Sequence, residues 1–103
     1  MRIISRNTLI QYWEKFPDVE QPLKSWFDEV RNASWISPNE LKRLYRNASI
    51  ISDKRVVFNI KGNYYQLVVD IEYNIGIVFI VWLGTHKEYD KINVKEIKYV
   101  KTN

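Results

Sequence analysis

A chain of 103 residues that is 46% hydrophobic and 15% aromatic has enough large apolar side chains to fill a core, which argues against global disorder. With no cysteine and a single histidine, disulfide frameworks, thiolate metal sites, cysteine nucleophiles and multi-histidine zinc centres are excluded. The 16 basic residues against 12 acidic ones give a formal net charge of +4. That balance suits either an ordinary solvated surface or a polyanionic partner, such as nucleic acid or an acidic protein.

Residues 1–103 are expected to form a single domain without linker, repeat or low-complexity tract. The three prolines lie in the first half and the three glycines in the second, which predicts a helical half followed by a stranded half. "MRIIS" is a short strand candidate, and Ser5 can cap the helix after it. In that helix Leu9, Ile10, Trp13 and Phe16 share a face, and "FPD" ends it. A second helix is predicted from Val19 to Arg31, with Leu23, Trp26, Phe27 and Val30 on one side and Pro22 confined to its first turn. The two helices are expected to form an antiparallel hairpin. "SPNE" starts a short third helix, with Ser37 as cap, Pro38 at the first helical position and Glu40 closing a capping box.

From Lys54 onward the pattern is stranded. "RVVFNI" is β-branched and aromatic, "KGN" is a tight turn, and "YYQLVVDIEY" is the return strand. After "NIG", the run "IVFIVWL" is nearly all apolar, as a central strand buried on both faces would be. The expected class is α+β, an antiparallel meander with helices on one face. The amino terminus lacks the apolar core of a signal peptide, and no run approaches the roughly 18 apolar residues of a membrane span. A soluble cytoplasmic protein is the default expectation.

The fragments "YWEKFPDVEQPLKSW", "SPNELKR", "RVVFNIKGNYYQLV" and "GTHKEYDKI" follow one another in this order. Together they resemble the HigB-type toxins of bacterial type II toxin–antitoxin systems, within the RelE-like mRNA interferase superfamily. The resemblance covers nearly the whole chain. It implies a RelE/ParE-like fold, with two N-terminal helices packed on a curved antiparallel sheet. It also implies an endoribonuclease that cleaves messenger RNA on the ribosome. The implied partner is a HigA-type helix-turn-helix antitoxin, with operator DNA bound only through the complex. No cofactor, metal or membrane is implied.

Cleaving RNA without a metal requires a base for the ribose 2′-OH, cationic donors for the phosphate, and an acid for the departing 5′-oxygen. His86 is the leading candidate, because imidazole gives and takes protons near neutral pH. Tyr89, three residues on, is expected on the same helical face, and Asp90, four residues on, can orient the imidazole. Thr85 and Glu88 fit a capping box that turns strand into helix, and a helix start collects N–H groups suited to phosphate. Lys61, in the "KGN" turn, is the favoured catalytic cation. Lys54, Arg55, Asn63, Lys87 and Lys91 are the expected RNA or phosphate contacts. The chain departs from the family pattern at Gln66 and Val81, where the relatives commonly have arginine. Arginine is a charged planar fork that glutamine and valine do not replace. An RNA- or ribosome-binding relative with weak or no cleavage therefore stands as the alternative. A gyrase-poisoning toxin of the same fold ranks behind it, because such toxins do not generally need a "THKEYD" helix.

Overall fold

The structure is a computed structural model and describes residues 1–98. Its elements run β1 (Arg2–Ile4), α1 (Arg6–Lys15), a single 3-10 turn (Pro17–Val19), α2 (Glu20–Arg31), α3 (Pro38–Leu44), β2 (Ser49–Ile50), β3 (Arg55–Ile60), β4 (Tyr65–Glu72), β5 (Ile77–Thr85) and α4 (His86–Tyr89). The class is α+β, as expected. Among the described residues no helix is long and apolar enough to cross a membrane.

The five strands lie in the order β1-β5-β4-β3-β2. The predicted meander is present as β3, β4 and β5, each antiparallel to the next. The sheet as a whole is mixed, because β1 joins the outer edge of β5 in parallel, Arg2 opposite Ile77. A three-residue strand paired across the length of the chain leaves no periodic signal, so an all-antiparallel sheet was the wrong expectation.

One face of the sheet carries the core. Leu9 and Trp13 of α1, Leu23, Trp26 and Val30 of α2, and Leu41 of α3 pack over Val56, Phe58, Ile60, Leu67, Val69, Ile71, Val78 and Ile80. The helical spacing of those apolar residues is what places them there. Phe58 is the aromatic hub, 5.4 Å from the Trp26 ring and 4.9 Å from Tyr45, both edge-on.

The strand buried on both faces is β4, not β5. Tyr65 through Val69 are all buried, whereas burial along β5 is intermittent. The apolar run of β5 has a different cause. Val68 pairs with Trp82 while its neighbour Val69 pairs with Ile80, so Val81 is an extra residue, a β-bulge. The bulge reverses the alternation. Leu83 packs against the core, and Trp82 and Gly84 turn to the opposite face with Gln66 and Val68.

Two caps differ from expectation. Ser5 stands at the N-cap of α1 in a left-handed conformation (φ 75°) and makes no side-chain cap bond. Ser37 makes none either, and Glu40 reaches one residue further back, accepting from the Ile36 N–H at 3.0 Å. The α3 capping box is therefore not formed.

Phe58→Ala is expected to destabilise the protein by about 3–5 kcal/mol in urea unfolding, by opening a cavity at this hub. Ile75→Ala, at a side chain that is 67% exposed, is expected to stay within about 0.5 kcal/mol.

Candidate functional site

The β3–β4 turn and the end of β5 meet at one edge of the sheet, where Tyr65 pairs with Thr85. The turn needs left-handed backbone at two successive residues, Lys61 (φ 54°) and Gly62 (φ 65°). Glycine at the second was predicted; lysine at the first carries the steric cost of a Cβ. From there Lys61 extends to the 3-10 turn, where its Nζ lies 2.9 Å from Asp18 Oδ2. The Tyr65 hydroxyl donates to the same oxygen at 2.8 Å. These two donors hold the Asp18 carboxyl below the usual carboxylate range, the Lys61 bond first and the Tyr65 bond second. Burial, with the Asp18 bond behind it, pushes the Tyr65 phenol up.

On the other side, Thr85 caps α4 as its sequence predicts. Its Oγ1 accepts from the Glu88 N–H at 3.1 Å, and Glu88 Oε1 accepts from the Thr85 N–H at 2.8 Å. Those bonds hold the Glu88 carboxyl below its ordinary range. The helix is one turn long, and the His86 N–H is committed to the Tyr64 carbonyl at 2.9 Å. Two of its first three amides, those of His86 and Glu88, are thus already used, which narrows the phosphate cradle expected at the helix start. The His86–Tyr64 bond ties α4 to the hairpin turn.

Between these two parts lies a cleft of about 410 Å³ lined by Asp18, Asn63, Tyr64, Tyr65, Thr85, His86 and Lys87. Beneath it Tyr12 meets Tyr65 edge-on at 5.9 Å. Burial, with the charge of Glu88 next, pushes the Tyr12 phenol up to about 12.

Of the predicted site residues, His86, Asn63 and Lys87 line the cleft, and Lys61 reaches it through Asp18. Asp90 lies 3.8 Å from His86 Nε2, close enough to interact by charge and too far for a hydrogen bond. Tyr89 does not share the cleft; its half-buried ring packs 6.2 Å from Trp82. Lys91 is exposed, and its charge is felt at Glu88.

Lys54 and Arg55 stand at the other end of the hairpin, about 20 Å away at roughly 3.4 Å per residue. Lys54 pairs with Glu72 at 2.6 Å. Arg55 corrects the expectation of a phosphate contact. It is buried, with Nε 2.8 Å from Asp70 Oδ1 and Nη2 2.7 Å from Asp70 Oδ2. Its Nη1 donates to the Val94 and Ile97 carbonyls. It fastens the segment after α4 to the sheet, with its donors turned inward.

Gln66, at a position of departure, is 2% exposed. Its Nε2 donates to Asn63 Oδ1 at 2.7 Å and to Asn59 Oδ1 at 3.3 Å, and its Oε1 has no partner. Asp18, Tyr64 and Tyr65 are cleft residues that sequence reasoning missed. The doubled tyrosine after "KGN" was the available signal. Nothing local marks Asp18, which meets its partners across 43 and 47 residues.

The family model described as HigB toxin, a RelE-like toxic component of a toxin–antitoxin system, matches residues 19–92. The chain belongs to the HigB toxin family. The match takes in Asp18's neighbour Val19, the whole β3–β5 meander and α4. Among similar proteins are the mRNA interferase toxin HigB of Escherichia coli K12 and the mRNA interferase HigB of Shigella flexneri. Each is 27% identical over 92 residues, covering 87% of this chain and 88% of the relative. Membership of a HigB family makes this a toxin with an antitoxin partner, and its mixed α+β sheet is consistent with a RelE-like fold.

The depressed carboxyls of Asp18 and Glu88 set a direction for pH. Each contributes stability that is complete above its unfolded value, about 4, and lost as pH falls through the lower folded value. The melting temperature of the wild type is therefore expected to fall below about pH 4. In Asp18→Asn with Thr85→Ala that fall is shallower, as thermal unfolding monitored by circular dichroism would record.

Proposed function

We propose that this chain is a metal-independent endoribonuclease that cleaves messenger RNA on the translating ribosome, restrained in the cytoplasm by a HigA-type helix-turn-helix antitoxin. Operator DNA would be met only through that complex. The observation that carries the reading is the shared cleft: His86, Lys87 and Asn63 face one space, with Lys61 anchored at its rim. The mRNA interferase names of the relatives support the same activity.

In this mechanism His86 moves the proton, at the 2′-OH or at the departing 5′-oxygen. Asp90 keeps the imidazolium company through its charge at 3.8 Å. Lys87, together with Lys61 whose ammonium is shared with Asp18, offsets charge growing on the phosphate. Asn63 accepts from Gln66 through Oδ1, which leaves its amide nitrogen to donate to a phosphate oxygen. Lys91 adds positive field beside the helix. Tyr89 acts at one remove, bracing α4 against Trp82.

Purified protein in a translation extract is expected to cut mRNA and leave a 5′-hydroxyl and a 2′,3′-cyclic phosphate. His86→Ala is expected to slow the cut by about 10²–10⁴-fold, read by primer extension. Intact mRNA in the presence of folded wild type would sink the proposal.

A second reading, an RNA- or ribosome-binding protein with little cleavage, is favoured by Gln66. A buried neutral amide whose nitrogen is spent on two asparagines supplies no charge to a phosphate. If this reading holds, the wild type binds RNA with strong salt dependence and leaves it uncut. Gln66→Arg combined with Val81→Arg is then expected to raise cutting by about 10²-fold or more. A wild type that already cuts efficiently removes it.

A further inference from the structure

The mechanism leaves one conspicuous cleft side chain unused. The Tyr64 ring is 71% exposed. Its backbone is nevertheless fixed on both sides: its carbonyl accepts the His86 N–H at 2.9 Å, and its own N–H donates to the Lys61 carbonyl at 3.2 Å. The ring therefore stands in solvent on a rigid support, where it gains little from burial on folding. It lines the cleft together with Asp18 and His86, and Lys61 Nζ lies 5.5 Å from its centroid.

Asp18 is the second observation. A carboxylate in an RNA-binding cleft repels phosphate. Here Lys61 pairs with it at 2.9 Å, and the Tyr65 hydroxyl at 2.8 Å fixes its orientation. Both bonds fall on Oδ2. What the paired group presents to the cleft is a fixed hydrogen-bond acceptor. Aromatic platforms accept any base by stacking, and an acceptor discriminates among base edges.

We propose that Tyr64 and Asp18 form a nucleobase subsite, in which a base stacks on the Tyr64 ring and donates an amino N–H to Asp18. Adenine, cytosine and guanine carry that amino group. Uracil has no amino group, and its one edge donor, N3–H, lies between two carbonyl oxygens that the carboxylate repels, which disfavours it. The identity of the polymer as RNA rests on the proposed function; the subsite deepens it by stating which bases it holds.

The test uses the His86→Ala protein, so that RNA stays intact, and labelled single-stranded oligonucleotides of adenine, cytosine or uracil. Fluorescence anisotropy is expected to show adenine and cytosine bound about tenfold tighter than uracil, the worth of one hydrogen bond to a charged acceptor. Adding Tyr64→Ala weakens binding by about 5- to 150-fold, the range for loss of one stacking partner. Tyr64→Phe, which keeps the ring, restores it. Asp18→Asn narrows the difference between adenine and uracil. Equal binding of all three oligonucleotides, absent binding, or binding unchanged by Tyr64→Ala would overturn the subsite. Cutting of mRNA by the wild type is scored separately, so failure of the nuclease reading is distinguished from failure of the subsite.

Discussion

The extra residue that β5 accommodates at Val81 reverses the facing of everything after it. Ahead of the bulge, Val78 and Ile80 point into the helical core; beyond it, Leu83 points there instead, and Trp82 and Gly84 face the opposite side. A strand without the bulge would send Leu83 outward and turn the indole toward the core. The bulge also lets the Trp82 ring lie over Gly84, where any Cβ would collide with it. Tyr89 then packs on Trp82, and α4 is held from below by an aromatic contact and from its start by the Thr85–Glu88 box. The position of His86 follows from that sequence of constraints. The sheet's second face carries Val57, Val68 and the Arg55–Asp70 pair, and there Arg55 grips the segment after α4 through the Val94 and Ile97 carbonyls.

The other wall of the cleft depends on a contact made at long range. Asp18 sits in the 3-10 turn that joins α1 to α2, and its partners Lys61 and Tyr65 flank the hairpin turn. An ion pair with both side chains nearly half exposed adds little to stability. Its consequence is geometric: it fixes where the lysine ammonium stands and keeps the helical layer in register with the turn. The Tyr65 hydroxyl makes the arrangement firmer, because its ring is 8% exposed and cannot follow the carboxylate outward. The cleft is thus bounded by groups whose places are set by buried neighbours.

Most local features were legible in the sequence, the Ser5 and Ser37 caps excepted, and the nonlocal ones were not. The faces of α1 and α2 were readable because apolar residues recur at helical spacing, and the α4 box was readable because its partners lie three residues apart. The pairing of β1 with β5, the link from Asp18 to Lys61 and the bulge at Val81 all depend on which distant segments meet. Arg55 shows the same limit. Beside a lysine it looks like part of a basic patch, yet the hairpin register puts Asp70 directly opposite. Counting back from the "KGN" turn reaches that pairing, but whether the arginine faces solvent depends on the segment that covers it. Tyr64 and Tyr65 are adjacent and chemically alike. Tyr65 opens β4 and is buried with it, whereas Tyr64 still belongs to the turn and is exposed, so identity alone could not separate their roles.

The distribution of charge bears on how such a cleft would hold a polyanion. The formal charge is +4, yet three cations of the β3–β4 hairpin are answered: Lys61 by Asp18, Lys54 by Glu72, Arg55 by Asp70. Gln66, behind the cleft lining, brings only a neutral amide to Asn59 and Asn63. The positive charge nearest His86 is therefore that of Lys87 in the cleft and Lys91 beside the helix, with Lys61 shared with Asp18. On the proposed reading, a strand entering this cleft gains less from counterion release than it would in a basic groove, and more from stacking and directed hydrogen bonds. Such contacts hold a nucleotide in a set orientation, and orientation is what a lone imidazole needs. A proton transfer requires the 2′-OH or the leaving oxygen within hydrogen-bond reach, and a base fixed on Tyr64 would limit where the ribose beside it can lie. In a site short of arginine, placement of the substrate can carry part of the rate that transition-state charge carries elsewhere.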